Sequence, residues 1–151
     1  MTSRSWSIQH RLSLAAALML MAGAAAAQQQ QPQAPAAQGG RGNFAANFTG
    51  TVAVQATEGT NMSRIRFEAG ARTNWHVHTA PQILLIEEGR GRWQEQGDSV
   101  KELPMNQPVL TKPNVPHWHG AAPDQHDLQF SVYAGKLEWQ KPVTDAEYKG
   151  R

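Results

Sequence analysis

Between Thr51 and Tyr133 the chain is punctuated by glycine and proline and carries strand-like runs of about four to seven residues, too short for ordinary helices. Thr51–Val54, Met62–Phe67, Arg72–His78, Ile83–Ile86, Arg92–Gln96, Val100–Leu103, Pro108–Thr111, His117–Ala121 and Leu128–Tyr133 each read as extended. Met62–Phe67 alternates, with Ile65 and Phe67 on one side and Met62, Arg64 and Arg66 on the other. Ile83–Ile86 is apolar on both sides, which predicts burial on both faces, one lining the fold and the other meeting a second subunit. Glu68–Ala71 reads as a turn, Glu88–Gly91 as a hairpin turn, and Gly97-Asp98 as the tight turn of another hairpin. A helix is signalled only near the end, where Thr144-Asp145-Ala146-Glu147 forms a capping box and Val143 with Tyr148 the matching staple. About eight to ten short strands punctuated in this way predict an all-β domain, a jelly-roll β-barrel with a small-molecule mouth and a short C-terminal helix.

Four side chains give that barrel chemistry. His76 and His78 stand two apart on one strand and therefore share a side. Thr79-Ala80-Pro81 breaks that strand, and Gln82 opens the next run, where an antiparallel neighbour can return it beside the two histidines. His117 follows the turn Lys112-Pro113-Asn114-Val115-Pro116. A single histidine on a strand is usually an ordinary hydrogen-bonded residue, but here four of the five histidines beyond His10 fall in two short motifs. Neutral imidazoles and an amide oxygen suit Mn²⁺, Fe²⁺ or Zn²⁺ and leave positions open for substrate. A Gln instead of a carboxylate leaves the ion nearly its full charge, which favours Lewis-acid chemistry and weakens its retention. His119, two residues beyond His117, is a candidate proton carrier or hydrogen-bond donor behind the metal ligands. Gln129, Ser131 and Tyr133 share one face of their strand and can form a polar wall, with Tyr133 able to donate to a developing oxyanion. Thr73 and Gln129 are candidate substrate contacts. Trp75, Trp93, Trp118 and Trp139 read as core or subunit-contact residues.

The first segment has the pattern of an export signal. Arg4 and Arg11 flank its start, Leu12–Gly23 is a short apolar run, and Ala25-Ala26-Ala27 offers a cleavage site before Gln28. The run is shorter than the ~20 residues a spanning helix needs. Residues 1–27 thus read as a secretory signal, 28–43 as a Gln/Pro/Gly-rich tether, and 44–151 as one folded domain, placed in a bacterial periplasm with no membrane attachment after cleavage. The formal charge of +2 includes Arg4 and Arg11, so the remainder is close to neutral and has no basic stripe for nucleic acid. With no cysteine, neither disulfides nor thiol chemistry are available.

These motifs resemble those of the cupins, small barrels whose metal is held by His, His, Glu or Gln, and His. Gly70, His76, His78, Gln82 and Gly89 stand at the spacing of the first cupin motif. In the second, Gly97 serves as the opening glycine, Asn114 takes a glycine's place at a turn that tolerates a left-handed backbone, and the later Asn is replaced by Ala121. Phe67–His78, His117–Pro123, Val143–Tyr148 and Phe48–Val52 also resemble the small bacterial manganese cupins that include hydroxynitrile lyases. That resemblance implies Mn²⁺ on His76, His78, Gln82 and His117, a homodimer or higher homo-oligomer, and lyase chemistry on a small hydroxy or carbonyl compound. It also implies an acid/base histidine where this chain has Gln129, which exchanges no proton. His126 lies three residues earlier, an odd offset that aims it at the opposite face unless a bulge intervenes. Two other functions fit the same open site: an Fe²⁺-dependent dioxygenase, and a non-catalytic module binding a metal or small ligand.

Overall fold

A computed structural model describes residues 44–151; the expected signal and tether lie outside the described residues. A 3-10 turn, Phe44–Asn47, leads into β1 (Phe48–Thr49), β2 (Val52–Ala56), β3 (Met62–Phe67), β4 (Arg72–Thr73), β5 (His76–His78), β6 (Gln82–Gly89), β7 (Gly91–Glu95), β8 (Lys101–Leu103), β9 (Val109–Leu110), β10 (His117–Ala121), β11 (Asp127–Tyr133), β12 (Leu137–Trp139) and helix α1 (Asp145–Tyr148). The named strands form two antiparallel sheets. One runs β2-β3-β11-β6-β9; the other runs β1-β4-β10-β5-β12, with β7 also pairing β10 and β8. The nearly all-β, two-sheet architecture is the jelly roll expected from the strand pattern.

Three local expectations need correction. Glu88–Gly91 is not a hairpin turn, because β6 and β7 belong to different sheets and the chain crosses between them there. Gly89 makes the crossing with φ of +80°, and a Cβ on it would collide with the His126 carbonyl oxygen. Among the described residues, β6 is buried on one face only: Gln82, Leu84 and Ile86 point inward while Ile83 is 38 % exposed, because none of those residues forms a second layer over that sheet's outer side. The expected strand Arg72–His78 is interrupted at Asn74 and Trp75, whose amides bond to the Asn47 and Lys141 carbonyls instead of a neighbouring strand.

The apolar core lies between the layers and under the helix. Ile65, Phe67, Ala71 and Ala121 form one cluster, and Leu84, Ile86, Trp93 and Leu103 another. Each fully buried large side chain contributes about 1.5–3 kcal/mol of transfer free energy. Trp75, Trp118, Val143 and Tyr148 pack a third cluster that docks α1. Thr144 caps that helix, with Glu147 closing the capping box as the sequence predicts. Arg72 fixes the preceding segment by donating from Nη2 to the Val143 carbonyl (2.9 Å) and Asp145 (2.7 Å), while the guanidinium carbons of Arg72 and Arg92 lie 4.6 and 5.0 Å from the Tyr148 ring centre.

Candidate metal centre

His76 and His78 share the inward side of β5 and are both 1 % exposed. His117 begins β10 directly opposite His76 in the antiparallel register, so three imidazoles meet from two adjacent strands. Their ring nitrogens include one set lying within 4.8 Å of one another. Gln82 reaches them from the other sheet, not from a strand next to β5 as its sequence position suggested. It is fixed at the head of β6 by a reciprocal pair: its amide donates to Thr111 Oγ1 (3.1 Å), and the Thr111 amide donates to its carbonyl (2.9 Å). The loop before His117 is held equally firmly. Asn114 turns with φ of +60° and donates its amide to the His78 carbonyl (2.8 Å). Buried Glu95 accepts from the Lys112 amide and ion-pairs with its ammonium, both at 2.7 Å.

Hydrogen bonding decides what these four groups can hold. His76 Nδ1 donates to the Asn74 carbonyl (2.9 Å) and His117 Nδ1 to the Val115 carbonyl (3.0 Å), so each presents a bare Nε2 to the interior. The His117 Nε2 lies 2.8 Å from Gln82 Oε1, which places two acceptors together with no proton between them. Both ring nitrogens of His78 are buried without a hydrogen-bond partner. Burial drives His76 well below the usual imidazole range, with the neighbouring His117 adding to the effect; His78 falls to about 4 for the same two reasons, and burial lowers His117. Neutral converging lone pairs and an orphaned imidazole fit a divalent cation.

Behind this group stands His119. Its backbone amide donates to Thr73 Oγ1 (3.2 Å), its Nδ1 donates to Gln129 Oε1 (2.8 Å), and burial pushes its imidazole down to about 3. A cavity of about 90 Å³ opens in front, touching Thr73, His76, His78, Gln82, His119 and Tyr133 on its polar side. Phe48, Val54, Ile65, Leu137 and Trp139 make the apolar side. The Tyr133 ring lies 4.3 Å from that of His78. Ser131 accepts from Gln82 Nε2 at 2.9 Å, so the inward face of β11 is polar as its alternation predicted. Gln129 sits behind His119, outside the cavity lining, with its amide engaged by protein groups. His126 points outward to Glu88 (2.9 Å); the irregularity in the β6–β11 register leaves Glu87 of β6 as the extra residue and does not turn His126 inward. Trp139, read from sequence as core or subunit contact, packs 5.0 Å from the His76 ring and lines the cavity. Phe48 and Leu137 were not foreseen; Leu137-Glu138-Trp139 alternates, and that pattern after Gly135 was the available signal.

A two-sheet antiparallel barrel that aims three histidines and a glutamine into one small cavity defines a class of small-molecule site with metal-ligating chemistry. The sequence is 36 % identical over 112 residues to the (R)-mandelonitrile lyase of Granulicella tundricola, covering 68 % of this chain and 86 % of that protein. A solved cupin-like protein from Thermotoga maritima matches with a TM-score of 0.63 and 39 % identity, over 68 % of this chain and 85 % of its own. No protein-family model matches the chain. The chain belongs to the cupin superfamily.

Proposed function

We propose that the protein is an exported metal-dependent lyase, similar in chemistry to hydroxynitrile lyases, that acts on a small hydroxy or carbonyl compound. The carrying observation is the convergence of neutral His76, His78 and His117 with Gln82, of which His76, His78 and Gln82 line the cavity. These four would hold Mn²⁺, with Fe²⁺ or Zn²⁺ as other occupants, and a bound divalent ion supplies Lewis-acid polarisation of the substrate oxygen. Thr73 and Tyr133 orient that oxygen from the cavity wall. The apolar side holds the hydrocarbon part and excludes water. Since a dry cavity of ~150 Å³ admits benzene, the 90 Å³ here favours a substrate of few heavy atoms or one whose tail lies in the mouth. For a cyanohydrin, His119 Nε2 takes the hydroxyl proton, the carbon–carbon bond breaks with its electron pair leaving on cyanide, and the proton passes to that cyanide. An imidazole pushed to about 3 stores no proton, so acceptance and delivery must be closely coupled.

The relative's lyase activity supports this reading, as do the leader pattern before Gln28 for export and exposed Ile83, Met105 and Leu110 for a homo-oligomer. Elemental analysis of purified protein should find about one metal per chain, reduced in His117→Ala and Gln82→Ala. Aldehyde plus cyanide should then give Mn²⁺-dependent product, in wild type or in Gln129→His, which returns the histidine of the lyase pattern to its place against His119. Retention of metal by both alanine variants sinks the ligand set; absence of turnover in both wild type and Gln129→His sinks the cyanohydrin reaction. Gln129 itself favours a second reading, a metal- or small-ligand-binding module, which predicts tight binding without turnover. Oxygen uptake with Fe²⁺ bound would instead indicate a dioxygenase.

A further inference from the structure

Asp127 is a buried carboxyl with no role in the reaction above. It begins β11, is fully buried, and has one oxygen, Oδ1, without a hydrogen-bond partner. Its other oxygen, Oδ2, accepts from Gln129 Nε2 at 2.6 Å. Room for the carboxyl depends on Gly91, where a Cβ would stand 2.7 Å from Oδ2 and 2.5 Å from Ile86 Cδ1. The far end of the Gln129 amide, Oε1, meets His119 Nδ1 at 2.8 Å.

Donor and acceptor identities propagate along this chain in one direction. A carboxylate oxygen only accepts, so the NH₂ end of Gln129 must face Asp127. The carbonyl end must then face His119, and because a carbonyl also only accepts, His119 must carry its proton on Nδ1. The remaining nitrogen, Nε2, keeps its lone pair on the cavity side, where the Gln82 NH₂ stands 3.5 Å away, at the limit of a hydrogen bond. The Gly120 carbonyl favours the same amide orientation, but at 3.5 Å it is at the limit of a hydrogen bond, whereas the Asp127 contact is short, 2.6 Å, and charge-assisted once the carboxyl ionises.

We propose that Asp127 is a positioning residue: through Gln129 it fixes His119 as the Nδ1–H tautomer and so presents Nε2 to the substrate as an acceptor. Gln129 thereby has a definite place here, transmitting the polarity of Asp127 to a neighbouring histidine while exchanging no proton itself. The assignment rests on the lyase reading only for the use made of Nε2; the tautomer is a property of the protein alone.

Long-range proton–nitrogen NMR of the histidine rings in ¹⁵N-labelled purified protein tests it, recorded at about pH 8.5 so that Asp127 is ionised, metal-free and again with diamagnetic Zn²⁺ added. Wild type should show His119 as a single Nδ1–H species. Asp127→Asn keeps the shape but can present either a donor or an acceptor, so a second, Nε2–H set of signals should appear. Gln129→Leu, which breaks the link, should do the same. A wild-type His119 protonated on Nε2, or an Asp127→Asn spectrum with only the wild-type tautomer, overturns the proposal; the isosteric Asp127→Asn variant decides the matter if Gln129→Leu fails to fold. Loss of the single tautomer in Asp127→Asn, in a protein that shows no lyase turnover, upholds the positioning role and removes the proposed reaction instead.

Discussion

Replacing Asp127 by Asn should make the protein less sensitive to rising pH. Burial pushes the Asp127 carboxyl up from 3.8 to about 7, against a smaller lowering by the Gln129 hydrogen bond. A folded-state value above the unfolded one means that the favourable contribution is complete below about pH 4 and is lost as pH rises through about 7. With about 1.4 kcal/mol for each tenfold change in proton affinity, this linkage removes roughly 2.5 kcal/mol of wild-type stability between about pH 5 and pH 8. The side-chain amide of the Asp127→Asn variant does not titrate. It leaves one end of a buried amide unpartnered whichever end faces Gln129, a penalty of about 1–3 kcal/mol that is the same at every pH. The difference between the variant's relative stability at the two pH values therefore isolates the proton, and contributions from the histidines cancel because both proteins carry them. In a domain of this size the expected differential is about 10 °C in melting temperature, with the variant gaining on wild type as pH rises. Thermal unfolding of both metal-free proteins at the two pH values measures it. Parallel pH profiles would refute the reasoning and mean that the ionised carboxylate is solvated or paired in the folded state.

Other expectations follow from single contacts. A Cβ at Gly120 would run into the Ala71 carbonyl oxygen and lie 2.6 Å from Arg72 Cα, both backbone atoms, so Gly120→Ala must part β10 from β4 and should cost about 1–3 kcal/mol by denaturant unfolding; an unchanged midpoint would rule out that close approach. Tyr148→Phe removes the hydroxyl that donates to the buried Ala121 carbonyl at 2.6 Å, and should lose about 1 kcal/mol and a few degrees of melting temperature with no change in metal content. On the acid side, His78 and His119 are held down at about 4 and about 3 by burial, so their contribution is complete above the ordinary imidazole value of 6.5 and is lost as pH falls towards those values. The difference in denaturant midpoint between wild type and His78→Gln, both metal-free, should shift against wild type on acidification from about pH 7 to pH 4; a constant difference would show that His78 protonates freely.

The strand pattern was legible because its causes are local. Alternation in Met62–Phe67 and Leu128–Tyr133 follows from a two-residue side-chain period, and the Thr144–Glu147 box closes within one helical turn. Asn114 adopts the left-handed backbone that its place in the turn required. What failed were inferences about which sheet a strand joins. Gly89 looks like a hairpin glycine in sequence, but its positive φ serves a crossing whose other constraint, the His126 carbonyl, is nearly forty residues away in the chain. The Arg72–His78 run is uninterrupted in pattern and interrupted in structure because Asn47 and Lys141 capture its middle amides.

The centre divides in the same way. The His76/His78 pair is a within-strand fact, and strand periodicity alone puts both rings on one side. His117 and Gln82 join them through a strand register and a sheet-to-sheet approach, neither of which their own neighbours in sequence encode. The same limit explains the reading of Gln129 as a substrate contact. An inward-facing polar residue on a cavity-lining strand can reach the ligand only if nothing stands in front of it, and His119, arriving on a strand of the opposite sheet, does. Once His119 fills that space, a glutamine behind it needs partners at both ends, because its donors and its acceptor are both buried. Asp127 meets the first need and His119 the second, so the residue that departs from the lyase pattern is also the one whose hydrogen bonds tie the two sheets together behind the metal ligands.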